Sequence, residues 1–190
     1  MFVKNVEFVV SAYDEKHFPK PLSGEICFVG RSNVGKSTLL NVLFDRKLAK
    51  VSKTPGKTKS INFYLVNKKF YFVDLPGYGY ARRSKQEISR WKYLIERYFE
   101  CRKRYIKLSV LIVDCRHSLQ ESDTMFLEWS RYFEIPVVVV LSKADKVNLS
   151  KLNDRVEVIG QQLGISVIGY SAVSKLGVDK IIEKIEQALG

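Results

Sequence analysis

Residues 25–44 read EICFVGRSNVGKSTLLNVLF, and the eight from Gly30 to Ser37 (GRSNVGKS) fit the spacing G-x-x-x-x-G-K-[ST]. The run before them, 25–30, is apolar and of strand length. The run after them, Lys36–Phe44, carries its leucines at helical spacing. A strand, a glycine loop and a helix in that order are the setting this spacing needs. Glycines at 30 and 35 let the chain curl, so that main-chain N–H groups of Arg31, Ser32, Asn33, Val34 and Gly35 point at one phosphate. Lys36 adds a cation for the outer phosphates. Ser37 offers a hydroxyl to Mg²⁺, and with Thr38 it opens a helix whose positive end faces the same spot. An ordinary glycine turn gives no reason for Lys-Ser at a helix start.

Strands and helices alternate along the rest of the chain. Runs 60–66 and Phe70–Asp74 flank Asn67-Lys68-Lys69 and read as a β-hairpin. A helix over 85–101 places Ile88, Trp91, Leu94, Ile95 and Tyr98 on one face, which reads as core. Strand 108–114 (LSVLIVD), helix 121–133 and strand 136–142 (PVVVVLS) follow. The spacing then predicts a helix over 150–163 with Ser150 as its N-cap, a short strand at 165–170, and a last helix with a stripe of Val178, Ile181, Ile182, Ile185 and Leu189. Val6–Ala12 reads as an added strand. Continuous apolar strands between helices predict an α/β fold: three layers (α/β/α), a mostly parallel sheet and one antiparallel hairpin strand. At 190 residues the chain is expected to form a single domain, 1–190, with 1–24 as an N-terminal extension.

Composition excludes several classes. Hydrophobic residues make up 46% and charged residues 27%, as in ordinary globular proteins and unlike disordered or collagenous chains. The three cysteines, Cys27, Cys101 and Cys115, form no C-x-x-C pair, so neither a disulfide framework nor a metal knuckle is expected. The two histidines, at 17 and 117, form no cluster. The longest apolar stretch, 135–141, contains Pro136 and is far short of the ~20 residues of a membrane span. A cytoplasmic protein with no membrane partner is expected.

The charge is uneven. Residues 46–107 hold eighteen basic and four acidic groups, whereas 1–45 and 108–190 are close to balance. Such a block repels itself unless something anionic lies opposite, and RNA fits that need.

Two carboxylates complete the candidate site. Asp74 ends the apolar run FYFVD and begins Asp74-Leu75-Pro76-Gly77. There it is suited to hold Mg²⁺ through water, with the Gly77 N–H meeting the terminal phosphate. Ser142-Lys143-Ala144-Asp145 closes the run PVVVVLS. Guanine presents two donors on one edge, and a carboxylate accepts both; adenine offers a lone pair there instead. Asp145 is therefore the expected reader of guanine, Lys143 lies over the base, and Ser171-Ala172 supply a backbone N–H for the guanine oxygen. Two threonines, Thr54 and Thr58, are available in the loop 45–59 to close the Mg²⁺ shell.

The series GRSNVGKS, Thr58, DLPG, SKAD and SA resembles a P-loop GTPase of the translation-factor type with a Ras-like G domain. GRSNVGKSTLLN, TPGKT at 54–58 and DLPGYGYA at 74–81 resemble the EngB (YihA/YsxC) family of small bacterial GTPases. The resemblance implies GTP binding and hydrolysis with Mg²⁺. It also implies contact of Gly56, Lys57, Thr58, Lys59 and Ser60 with the nucleotide, and roles for Lys36, Thr58 and Gly77 in catalysis. It selects Thr58 over Thr54 as the Mg²⁺ ligand. It implies assembly of the large ribosomal subunit, with ribosomal RNA or a subunit precursor as partner, and a requirement in cell division and septation. A monomer that binds no DNA is expected. Asn33 stands where K⁺-activated relatives place a ligand. Ser142 departs from the Asn of GTPases at large. Tyr78 stands where Ras-like enzymes carry the water-orienting Gln, so hydrolysis is expected to be slow unless K⁺ or a ribosomal surface completes it. The residues expected around that water are Tyr78, Gly79 and Tyr80, with Arg82 and Arg83 behind. The competing reading is a nucleotide-gated RNA-binding module with negligible turnover.

Overall fold

The computed structural model describes residues 2–50, 60–78 and 85–190. Seven strands form one sheet: β1 (Val6–Ala12), β2 (Gly24–Gly30), β3 (Ile61–Val66), β4 (Phe70–Asp74), β5 (Ile106–Asp114), β6 (Val137–Ser142) and β7 (Val167–Gly169). Their order is β1-β3-β4-β2-β5-β6-β7. β2 pairs parallel with β4 and β5, and β6 pairs parallel with β5 and β7. β3 is antiparallel to both neighbours, β1 and β4, so it alone runs against the rest. The mostly parallel sheet and the added N-terminal strand agree with the sequence reading.

Side-chain alternation along β2 divides the core. Cys27 and Val29 face a layer made by helices α2 (Lys85–Arg102), α3 (Glu121–Tyr132) and α4 (Leu149–Leu163). Ile26 and Phe28 face the other layer, with α1 (Lys36–Phe44) and α5 (Val178–Leu189). Both faces of the central strands are thus covered, which is why β2 and β4 are buried along their whole length.

Two expectations change. Ile88 is 51% exposed, while Leu94, Ile95 and Tyr98 are buried. The aromatic rings that α2 packs against begin at Trp91, one turn further along, where it meets Tyr78 and Trp129. The N-cap of α4 is Asn148 and not Ser150: the Asn148 side chain accepts from the Lys151 N–H at 2.8 Å, which leaves Ser150 inside the first turn.

Parallel strands bring their carboxyl ends to one end of the molecule. Gly30, Asp74, Asp114, Ser142 and the turn after β7 all lie there, at the end where open α/β sheets bind ligands. Gly30 is required by close packing, since a Cβ there would clash with the Ile112 carbonyl. Gly35, at φ 102°, takes a backbone conformation that other residues rarely adopt.

Candidate nucleotide-binding site

The loop 30–35 is braced from the β4 side. The Ser32 N–H donates to the Tyr78 carbonyl at 3.0 Å, and the Tyr78 N–H donates to the Gly30 carbonyl at 3.4 Å. These bonds seat Gly77 against Ser32, where a Cβ would come within 3.2 Å of the Ser32 hydroxyl. Lys36, at the start of α1, places its ammonium on Asp74 Oδ1, and both side chains are buried. Asn62 Nδ2 approaches the second oxygen, Oδ2, at 3.4 Å. This carboxylate therefore already holds a cation beside the cradle. With Ser37 in the first turn of α1, it offers the hard oxygen donors that suit Mg²⁺. The residues present fit that ion.

The base side is held by a separate set of bonds. The Ser142 hydroxyl reaches the Val34 carbonyl at 2.6 Å and the Val113 carbonyl at 3.1 Å, tying β6 to the glycine loop and to β5. The hydroxyl thus ties these loops together from the position where GTPases at large carry Asn. Lys143 reaches across the same gap. Its ammonium donates to the Asn33 carbonyl at 2.9 Å and lies 2.9 Å from Asp114 Oδ2. Asp145 accepts from the Ser171 hydroxyl at 2.8 Å, while Lys146 lies 3.4 Å from its other oxygen. The Ala144 N–H donates to the Tyr170 carbonyl at 3.0 Å, which clamps the two loops together. That hydrogen bond from Ser171 is the main reason the Asp145 carboxyl is held below the usual carboxylate range. Ionised, it is an acceptor at both oxygens, as guanine requires. The Ser171 N–H is already spent on the Leu176 carbonyl at 3.1 Å, so Ala172 is left to supply the amide expected of this pair.

Sequence reasoning missed Asp114 and Arg116. Asp114 ends β5 as Asp74 ends β4, and that shared position was the available signal. Burial pushes its carboxyl up, but hydrogen bonds from Arg116 and Lys143 outweigh this and hold it well below the usual range. Arg116 Nε donates to Oδ1 at 2.9 Å, and its terminal nitrogen donates to Oδ2 at 2.7 Å. A cleft of about 230 Å³ opens between this turn and the glycine loop, lined by Arg31, Asn33, Asp114, Arg116, Asp123 and Lys143 among others.

The Tyr78 side chain is turned into the core toward α3. It is 4% exposed, and its hydroxyl donates to Asp123 on α3 at 2.7 Å. Burial and the Asp123 carboxylate push the hydroxyl far above its ordinary pKa, so it remains a neutral donor. Its ring meets Trp91, whose indole N–H donates to the Pro76 carbonyl at 2.9 Å. Leu75 turns its side chain into the core. Ser60, also buried, donates its hydroxyl to Asn62 at 3.2 Å. Gly56, Lys57, Thr58 and Lys59, and likewise Gly79, Tyr80, Arg82 and Arg83, lie outside the described residues.

A family model described as 50S ribosome-binding GTPase matches residues 25–143. The probable GTP-binding protein EngB of Thermotoga maritima is 49% identical over 193 aligned positions, covering 100% of this chain and 98% of that protein. The protein of the same name in Kosmotoga olearia is 47% identical, covering 96% of this chain and 98% of its own length. A crystal structure of a probable GTP-binding protein engB superposes with a TM-score of 0.72 at 26% identity, covering 87% of this chain and 98% of that one. Aquifex aeolicus Era shares the fold, with a TM-score of 0.73 at 22% identity over 88% of this chain and 57% of that one.

Proposed function

The chain belongs to the EngB family of GTP-binding proteins, a family of GTPases, and on that basis we propose that it hydrolyses GTP slowly as a nucleotide-dependent switch in assembly of the large ribosomal subunit. The observation that carries the nucleotide reading is Asp145, fixed by Ser171 as an ionised acceptor one loop away from the phosphate cradle. Main-chain amides of 31–35 bind the phosphates, and Lys36 leaves Asp74 for their outer oxygens. Asp145 orients the guanine, Lys143 covers it, and Ala172 donates to its oxygen. Ser37, Thr58 and, through water, Asp74 would hold Mg²⁺, which would supply positive charge to the outer phosphates. The Gly77 N–H meets the terminal phosphate.

Slow turnover has a physical cause. The side chain that follows Gly77 is tied to α3 and cannot align a water. Completion then falls to K⁺ beside Asn33 or to a ribosomal surface. The partner reading rests on the family description and on the basic charge in and around the loops 45–59 and 76–84, which carry Thr58 and Gly77 in sequence. A γ-phosphate that contacts Thr58 and Gly77 would make the display of this charge to RNA depend on the nucleotide. No helix among the described residues is long and apolar enough to cross a membrane. A monomeric single G domain working in the cytoplasm, bound to neither DNA nor membrane and linked to cell division through the ribosome, completes the reading.

Multiple-turnover phosphate release from GTP, with and without purified large subunits and in KCl against NaCl, tests it. Release stimulated by subunits is the expected result. Undetectable release under every condition would leave the RNA-binding module with negligible turnover as the better description.

A further inference from the structure

The positive charge of the central block does not all reach the nucleotide end of the sheet. The β3–β4 turn carries Lys68 and Lys69 at the opposite end. Phe70 pairs with Gly24, and Glu25 with Ile106, so the starts of β4, β2 and β5 stand side by side there. Two inter-strand spacings put the lysine turn about 10 Å from the Lys103-Arg104-Tyr105 turn that leads into β5. Arg102 donates to the Pro19 carbonyl, which brings Lys20 to the same end. The Lys4 N–H donates to Asn67 Oδ1 at 2.8 Å, which adds Lys4 on the far flank. Lys4, Lys20, Lys68, Lys69, Lys103 and Arg104 are all exposed, and none of them is ion-paired among the described residues. Glu25, the carboxylate inside this end, is buried and matched to Arg102. Exposed acidic groups border this end as well, among them Glu7, Glu100, Glu134 and Glu186, the last on α5, which brings Leu189 against Gly24.

The turn itself holds a second observation. Asn67 and Lys68 have φ of 51° and 56°, the left-handed sense of a tight hairpin. Asn67 is compensated by its bonds to Lys4, Asn5 and the Phe2 carbonyl. Lys68 has no such side-chain bond among the described residues, and glycine would sit there with less strain. The chain instead keeps an ammonium at the tip.

We propose that this end of the sheet is a second RNA-binding surface, which grips the phosphate backbone whichever nucleotide is bound. Its turns are set by bonds remote from the cradle, such as Lys69 N–H to Val66 carbonyl and Tyr105 N–H to Arg102 carbonyl. Nucleotide exchange therefore leaves it unchanged. A ridge of strand-end cations suits backbone contacts; it is not the amphipathic helix with an apolar face that membrane surfaces take. The inference shares with the proposed function only its polyanionic partner.

The test is the affinity of the full chain for a fluorescent RNA duplex across a salt series, with GDP and with a non-hydrolysable GTP analogue. The wild type is compared with Lys68→Ala/Lys69→Ala/Lys103→Ala/Arg104→Ala. Affinity for RNA is expected to fall at least tenfold in both nucleotide states, and the slope of log affinity against log salt by roughly 2 to 3, at about 0.9 per lost phosphate contact. GDP affinity should not move. Lys68→Gly relieves the turn and should still weaken RNA binding, which separates lost charge from lost folding. Unchanged RNA affinity and slope would overturn the proposal, and so would a loss confined to vesicles of anionic lipid. If the variants weaken RNA binding while the two nucleotide forms of the wild type bind RNA equally, this surface stands and the switch reading fails.

Discussion

On the base side of the site the groups already hold each other in working positions. Ser171 holds Asp145, the Asn33 carbonyl and Asp114 hold Lys143, and Ser142 ties β6 to the glycine loop. On the phosphate side, Lys36 and Asp74 hold one another. The first half is organised before any ligand arrives. The second must exchange partners, because Lys36 cannot serve both Asp74 and a phosphate. Separating a buried ion pair is costly unless each charge finds a replacement. A magnesium nucleotide brings both replacements together, a phosphate for the lysine and a cation for the aspartate. On the proposed reading, base recognition is built into the fold, while phosphate recognition is coupled to the metal.

The sharpest way to break this contrast is Asp145→Asn. Losing two hydrogen bonds to a charged acceptor should cost guanine nucleotides about two to three orders of magnitude in affinity. Xanthine carries a carbonyl where guanine carries its amine, so xanthosine diphosphate should bind the variant better than GDP does in a competition assay. A variant with undiminished preference for GDP would remove Asp145 from the site. Asp74→Asn tests the other half. Without Mg²⁺, freeing Lys36 should raise GDP affinity by up to about tenfold. With Mg²⁺ the same change should lower it, since the metal loses a carboxylate. Titrations in EDTA and in magnesium buffer that shift in the same direction would contradict the exchange of partners.

Smaller effects sharpen the comparison. Ser142→Ala removes one neutral hydrogen bond between β6 and the glycine loop, worth about 1 kcal/mol, or several-fold in GDP affinity. Ser142→Thr keeps the hydroxyl and should stay near the wild type. pH gives the smallest signal near neutrality. The lowered pKa of Asp145 keeps it ionised, so its contribution to GDP binding is lost only as pH falls through that lowered value. Fluorescence titrations should show GDP affinity nearly flat from pH 7 down to about 4, the ordinary range for an aspartate. A decline already complete at pH 5 would mean that Ser171 does not hold the carboxylate in solution.

The site was legible where its chemistry is local. GRSNVGKS places the cradle, lysine and hydroxyl within one turn, and the apolar runs ending in Asp74 and Ser142 placed both carboxylate loops at strand ends. What stayed hidden depends on partners distant in sequence. Nothing near Tyr78 signals that its hydroxyl goes to Asp123, 45 positions away. Asn148 and Ser150 are both competent caps, and only the path of the chain chooses between them. Residues 46–107 read as one basic block because the pattern of charge ignores the reversals of the chain. Folding sends part of that block to the opposite end of the sheet.

Isothermal titration of the purified chain with GDP and with ADP, each in magnesium buffer, bears most directly on a cradle whose base is chosen by Asp145. GDP should bind with measurable heat, and ADP at least a hundredfold more weakly. Heat of equal size and equal affinity for the two, or none for GDP, would contradict it.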